Sequence, residues 1–319
     1  MIRALALTGP TASGKTALSL ELAEALDLEI VCLDSMQIYK DMNIGTAKPT
    51  AEERGRVPHH MVDFLPFTAN YNAEWYKSDV MPILNDITRR GKMPLFVGGT
   101  GLYIDTLTGR GGNNAPPSDR EYIEARLSEI ETQDDVHSLW LKLESIDPES
   151  AAAIHENNVK RVLRALEIYE KSGKTKTFFD RESRSSSPEV EICMLTLDFH
   201  NRDLLYKRAD ERVDAMMKEG LLDEVTRLCQ MGLFKHDTTA RQAIGYKELG
   251  EYLDGSVTLP EAIENLKLAT RRYAKRQLTW FRHEKDAYRL FVDTEDGRMR
   301  KTEDLVSEAL SVAENYLKK

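Results

Sequence analysis

The stretch Gly9-Pro10-Thr11-Ala12-Ser13-Gly14-Lys15-Thr16 fits G-x-x-x-x-G-K-[ST] at every fixed position. The apolar run Ala4-Leu5-Ala6-Leu7 precedes it, and Ala17 to Leu26 follows with apolar residues at helical spacing. Strand, glycine turn and helix are the context in which this motif folds around an anion. Successive N–H groups point inward, and the helix N-terminus adds positive potential where two linked phosphates of a diphosphate or nucleotide would sit. Lys15 brings a point charge and Thr16 a hydroxyl placed for Mg²⁺. The motif fixes a bound diphosphate and leaves the reaction open.

With 319 residues, 41% hydrophobic and 30% charged, the chain reads as an ordinary globular protein of about two domains. Its formal net charge of −9 excludes a generally basic nucleic-acid coat, so a polyanion has to be met by a local basic patch. Cys32, Cys193 and Cys229 are far apart in sequence, which points to reduced thiols rather than a disulfide frame or zinc site. No apolar run approaches the ~18 residues of a membrane span, so a cytoplasmic protein without a membrane partner is expected.

A second apolar run, Glu29 to Leu33, ends in Asp34-Ser35-Met36-Gln37. Ligands of open α/β sheets lie beyond the carboxyl ends of the strands, so Asp34 is expected beside the glycine loop. As an acid–base candidate or as a turn cap, its two readings stand level. Gly45-Thr46-Ala47-Lys48-Pro49 either touches phosphate or turns the chain, and His59 and His60, being adjacent, diverge and suit packing or a substrate loop better than metal. Asn72 to Arg90 reads as a helix and Met93 to Val97 as a buried strand, followed by Gly98-Gly99-Thr100-Gly101-Leu102-Tyr103. A phosphate-hydrolysing P-loop enzyme usually has an aspartate at such a strand end. Thr100 offers a hydroxyl there instead, and Asp198, after Leu195-Thr196-Leu197, is a weaker candidate for the missing acid.

The Gly-, Asn- and Pro-rich run from Gly109 to Ser118 marks a boundary, beyond which Asp119 to Lys176 is helical in pattern. The expected architecture is α/β: a P-loop NTPase-like parallel sheet core with an inserted all-helical domain and a helical C-terminal region. Residues 1–114 form the first part of the core, 115–188 the insertion, and 189–319 the returning strand and C-terminal helices. In the insertion Val162, Leu163, Leu166 and Tyr169 make an apolar face, with Lys160, Arg161 and Arg164 opposite as a candidate polyanion surface. Ser172-Gly173-Lys174-Thr175 imitates a second P-loop, but Ile168 takes the place of its first glycine and a helix precedes it. Arg202 to Met231 reads as one long helix, and Thr270 to Arg282 carries five basic residues among Tyr273, Trp280 and Phe281, a mixture suited to RNA.

In order along the chain, Gly9 to Thr16, Asp34 to Tyr39, Gly45 to Pro49, Pro58 to His60, Gly98 to Tyr103, Arg161-x-x-Arg164-Ala-Leu-Glu167, Ile244-Gly-Tyr246 and Lys275-Arg-Gln277-x-x-Trp280 resemble the bacterial tRNA dimethylallyltransferase (tRNA isopentenyltransferase) family. The resemblance implies transfer of a dimethylallyl group from its diphosphate to N6 of adenine 37, beside the anticodon of tRNA. It implies that Gly9, Pro10, Thr11, Ala12, Ser13, Gly14, Lys15 and Thr16 hold the donor diphosphate with Mg²⁺, Thr16 being the metal ligand. Asp34 becomes the general base, with Thr100 and Lys15 at the reaction centre. The tRNA anticodon stem-loop is then met by Asp34, Ser35, Met36, Gln37 and Thr100, by Lys160, Arg161, Val162, Leu163 and Arg164, and by Arg241, Gln242, Gly245 and Tyr246. Arg271, Arg272, Lys275, Arg276 and Gln277 complete that surface, and a monomer is expected. One departure stands out: Glu124 occupies the place of a common family arginine, with Arg126 two residues on.

The chemistry agrees with the residues. The adenine N6 lone pair is delocalised into the ring, so the amine attacks only as a carboxylate such as Asp34 takes its proton. The departing diphosphate gathers charge that loop N–H groups and Lys15 are placed to receive. A target base must be turned out of its stack, and a covering helical insertion would keep water from an allylic cation. The sequence admits three other readings. A small-metabolite P-loop kinase would use Asp34 as base and Asp198 on metal; an adenine-nucleotide isopentenyltransferase would need no RNA surface; a nucleotide-gated RNA-binding protein would need no base.

Overall fold

The computed structural model describes residues 1–109, 115–116, 118–185, 188–236 and 238–318. Six strands make one sheet: β1 (Ile2–Thr8), β2 (Leu28–Leu33), β3 (His59–His60), β4 (Met93–Gly98), β5 (Val190–Asp198) and β6 (Tyr288–Phe291). Their order is β3-β2-β4-β1-β5-β6, and every neighbouring pair is parallel. Parallel strands are covered on both faces, which is why β2 is buried at all its positions and is apolar apart from Glu29. Leu5 and Leu7 of β1 share a core with Leu18 and Leu22 of the helix Lys15–Leu26, Leu278 of the helix Leu259–Arg282, and Ala309 and Ala313 of the helix Thr302–Leu317.

The chain leaves β1 towards β2, returns to lay β4 against β1, then places β5 on the other side. This reversal at β1 opens a crevice at the carboxyl ends of the strands, where open α/β sheets bind ligands. The loops after β1, β2 and β4 all empty into it.

The chain divides into two compact units, Met1–Ile104 with Val190 onward, and Asp105–Glu189. Asn113 and Asn114, at the edge read from the sequence, lie outside the described residues, as do Ser186 and Ser187 near the other edge. All six strands belong to the first unit. The second contains the helices Arg120–Ser128, Gln133–Ile146, Pro148–Ala153, Val159–Ser172 and Lys176–Ser185. Its core gathers Leu143, Ala151, Ile154, Val162, Ala165 and Leu166. Gly173, from the false second P-loop, is the left-handed cap that ends the helix Val159–Ser172.

The single helix expected over Arg202 to Met231 is two, Arg202–Lys218 and Leu221–Gln230. Gly220 sits at φ 99° between them, a conformation that stops the first helix and caps the second. Ala240 to Lys247 likewise gives a short 3₁₀ turn, Ala240–Gln242, and then the helix Tyr246–Leu253.

Where β4 ends beside β2, a Cβ added to Gly98 would lie 2.2 Å from the Leu33 carbonyl oxygen. Gly98→Ala should therefore lose about 3 kcal/mol of stability, since backbone cannot yield as a side chain does. Gly55→Ala, where an added Cβ meets nothing within 4 Å, should gain ~0.5 kcal/mol. Urea titration reads both, and equal midpoints for the two variants would contradict the close strand contact.

Candidate active site

The glycine loop follows β1 and starts the helix Lys15–Leu26, with Gly9 at φ 137°, Ala12 at 63° and Gly14 at 95°. An added Cβ on Gly9 would stand 2.8 Å from the Leu197 carbonyl oxygen, so conformation and space both demand glycine. Two side chains from distant helices hold the loop. Gln277 accepts from the Thr11 N–H at 2.8 Å and donates to the Gly99 carbonyl at 3.1 Å, tying the loop to the turn after β4. Arg208 donates to the Ala12 carbonyl at 2.9 Å.

Lys15 curls back on its own loop, donating to the carbonyls of Gly9 (3.0 Å) and Pro10 (2.6 Å). Burial, with help from the Arg212 charge and against the pull of Asp34, lowers its pKa to about 7. Arg212 also faces the cavity, where burial pulls its guanidinium below the usual value. Ser13 Oγ is buried without a hydrogen-bond partner, the kind of orphan a bound oxygen satisfies. Among the described residues no three His, Cys, Asp or Glu side chains converge as a metal set. A divalent ion here would thus lean on ligand phosphates together with the Thr16 and Ser13 hydroxyls, which suits magnesium and not an all-protein cage.

Asp34 emerges from β2 into the same cavity, of about 760 Å³, which the glycine loop, Arg208, Arg212, Tyr273 and Gln277 also line. Its Oδ1 accepts from the Met36 N–H at 2.8 Å and the Gln37 N–H at 3.4 Å. The turn-cap reading of Asp34 is therefore realised by one oxygen, while the other makes no hydrogen bond among the described residues. Thr100 accepts the Ser35 N–H on its hydroxyl at 3.2 Å, so it braces the turn that carries Asp34. The phenol of Tyr273 interacts with Thr100 and is held above its usual pKa mainly by burial.

The second acid needed by a kinase reading is already engaged. Asp198 is buried and binds Arg282 at 2.6 Å and the Phe199 N–H at 2.7 Å. Lys48 is also inward, on the Tyr39 carbonyl (2.6 Å) and Asp63 (2.7 Å), so its loop turns the chain. His60 pairs with Glu29 at 2.8 Å, while His59 bonds the Val57 carbonyl.

Several side chains expected at an RNA surface point elsewhere. Val162 and Leu163 are buried, as the helical period requires of that face, and Arg164 binds the fully buried Glu167 at 2.6 Å. Tyr246 is buried and donates to Glu224, Gly245 is buried in the cavity wall, and Arg271 grips Asp210 at 2.6 Å. Gln277 is the inward clamp already described. Lys160, Arg161 and Gln242 remain exposed, and Arg241 is half-buried. Arg272, Lys275 and Arg276 line a shallow exposed depression with Trp280. The side chain of Glu124 lies outside the described set, and Arg126 binds Glu129 at 3.0 Å. Arg208 and Arg212 were not read from the sequence as site residues, and Tyr273 was read only as part of a mixture suited to RNA. The two arginines stand one helical turn apart just after the returning strand, and that spacing was the available signal.

A phosphate loop that shares a cavity with the carboxylate of Asp34, while the strand-end acid Asp198 is tied to Arg282, fits a group-transfer site. The family model described as "IPP transferase" matches residues 37–284, and one described as "Isopentenyl transferase" matches 2–58. A tRNA dimethylallyltransferase of Bacillus velezensis is 48% identical, over 87% of each chain. The solved full-length tRNA isopentenylpyrophosphate transferase of Bacillus halodurans shares 40% identity at TM-score 0.70, covering 100% of this chain and 99% of that one. A eukaryotic dimethylallyltransferase, solved acting on tRNA, shares 32% identity at TM-score 0.75 over 91% of this chain and 74% of its own. The chain belongs to the IPP transferase family, a class of prenyltransferase enzymes.

The lowered Lys15 pKa gives a pH dependence with a definite sign. A diphosphate beside Lys15 favours the ammonium, so binding above about pH 7 takes up a proton and weakens as pH rises. Calorimetry of magnesium pyrophosphate binding at pH 8 in buffers of different ionisation enthalpy should show that uptake. Lys15→Met should bind more weakly and lose this part of the uptake; identical uptake in both proteins would contradict the assignment.

Proposed function

We propose that this protein transfers a dimethylallyl group from dimethylallyl diphosphate to N6 of adenosine 37 in tRNA, releasing diphosphate. One observation carries the reading: a single cavity joins the phosphate loop and its cations to Asp34, a carboxylate with one oxygen uncommitted. The N6–carbon bond forms as the carbon–oxygen bond to diphosphate breaks. The electron pair leaves with the diphosphate, and the N6 proton goes to Asp34. Loop N–H groups, Lys15, Arg208 and Arg212 meet the charge that gathers on the leaving group. Thr16 and Ser13 would hold Mg²⁺ against that diphosphate, where it supplies Lewis-acid stabilisation. Thr100 and Tyr273 steady the turn that carries Asp34.

Exposed Arg272, Lys275 and Arg276 beside Trp280 support RNA as acceptor, since paired cation and π-face suit a nucleic acid. A free adenine nucleotide would leave that surface without a use. The pairing of Asp198 with Arg282 weighs against the kinase reading. Among the described residues no helix is long and apolar enough to cross a membrane. A monomer acting in the cytoplasm fits this picture.

Protein given labelled dimethylallyl diphosphate, magnesium and unmodified tRNA should move label to tRNA, and given labelled ATP without tRNA should move no phosphate. Transfer from ATP to a small metabolite would overturn the proposal. Asp34→Asn should keep pyrophosphate and tRNA affinity while turnover drops at least ~100-fold, the scale of a general base. Near-normal turnover would remove Asp34 from that role. Arg161→Ala should weaken tRNA binding and shrink the slope of log affinity against log salt by about one phosphate contact. An unchanged slope would take that helix out of the RNA surface.

A further inference from the structure

The turn bearing Asp34 does not stand on its own. It continues into a loop, residues 38–49, that holds two non-glycine residues at positive φ, Asp41 at 67° and Ala47 at 46°. Such conformations persist only where surrounding contacts over-determine them. Gln37 joins the two parts, donating from its side-chain amide to the carbonyls of Thr46 and Ala47 at 3.1 Å each.

The far side of this loop is held by a carboxylate. Glu224, on the helix Leu221–Gln230 and nearly buried, accepts the successive backbone N–H groups of Asn43 (2.9 Å), Ile44 (2.9 Å) and Gly45 (3.2 Å). A fourth donor, the Tyr246 hydroxyl, reaches it at 2.6 Å. Three consecutive N–H groups converging on one anion form the concavity that elsewhere binds phosphate. Here the protein fills it with its own side chain, using the four acceptor positions a carboxylate has. The Tyr246 ring lies flush on Gly45, where an added Cβ would come within 2.5 Å. One turn further along the same helix, Arg227 donates to the side chain and the carbonyl of Asp41, at 3.2 Å each.

We propose that Glu224 is a positioning residue for prenyl transfer: with Tyr246 it fixes residues 43–45, and through Gln37 it sets the orientation of Asp34. This rests on the reading of Asp34 as the base. The phosphate loop is held separately, by Gln277 and Arg208, so loss of Glu224 should disturb proton removal and spare diphosphate binding.

Glu224→Gln keeps the volume but turns an amide N–H₂ towards backbone donors. In single-turnover transfer at saturating donor, magnesium and unmodified tRNA, its rate constant should fall on the order of 10–100-fold, the cost of misplacing a catalytic group by about 1 Å. The Kd for magnesium pyrophosphate should stay at the wild-type value. Tyr246→Phe, which keeps the ring on Gly45 and removes one hydrogen bond, should slow transfer about threefold and serves if Glu224→Gln does not fold. Asp34→Asn combined with Glu224→Gln should be no slower than Asp34→Asn alone. Losses that multiply in the double variant, or full-rate transfer by Glu224→Gln or by Tyr246→Phe, would overturn the proposal. A silent Asp34→Asn beside a slow Glu224→Gln overturns the choice of base, and this route with it. A slow Asp34→Asn beside a full-rate Glu224→Gln overturns the positioning role alone.

Discussion

Two hydrogen bonds from one side-chain amide hold the site together. Gln277 takes the Thr11 N–H with its oxygen and gives a proton to the Gly99 carbonyl, so the loop after β1 and the turn after β4 keep a fixed separation. The amide is buried, and a buried polar group that lost either partner would carry an unmet desolvation cost. The geometry around it leaves no slack, since a Cβ on Gly99 would stand 1.9 Å from the Gln277 nitrogen.

That joint explains how one helix serves two purposes. Along Leu259–Arg282, Thr270, Ala274, Gln277 and Leu278 are buried, while Arg272, Lys275, Arg276 and Thr279 are exposed, as a helical period dictates. The inner face supports the phosphate loop and the outer face presents cations and Trp280. Arg276 lines both the cavity and the outer depression, so the two adjoin along the same helix.

Charge is apportioned by the same logic. A chain of net charge −9 makes a cavity edged by Lys15, Arg208 and Arg212, while several of the acids near it are bound to partners of their own. Asp198 is spent on Arg282, Asp210 on Arg271 and Glu224 on backbone N–H groups. Asp34, with one oxygen that makes no hydrogen bond among the described residues, faces the same cavity. Cations fixed in advance around a departing anion stabilise it without reorganisation.

The sequence by itself determined the phosphate loop, the parallel sheet and the placement of Asp34 at a strand end, because these follow from local chemistry: glycine spacing, apolar runs and the rule for strand ends. It also marked Gly45, Tyr246 and Gln277 as belonging to motifs, without telling chemistry from support. Only the tertiary structure decided that, since a side chain's role depends on the partner that packing gives it, whether three residues away, as for Arg164, or hundreds, as for Gln277. Tyr246 read as an RNA contact is a buried strut, Arg164 read as a free cation is bound to Glu167, and Arg208 and Arg212, silent in sequence, face the phosphate loop. Periodicity gives the face on which a residue lies, and folding alone supplies what that face meets.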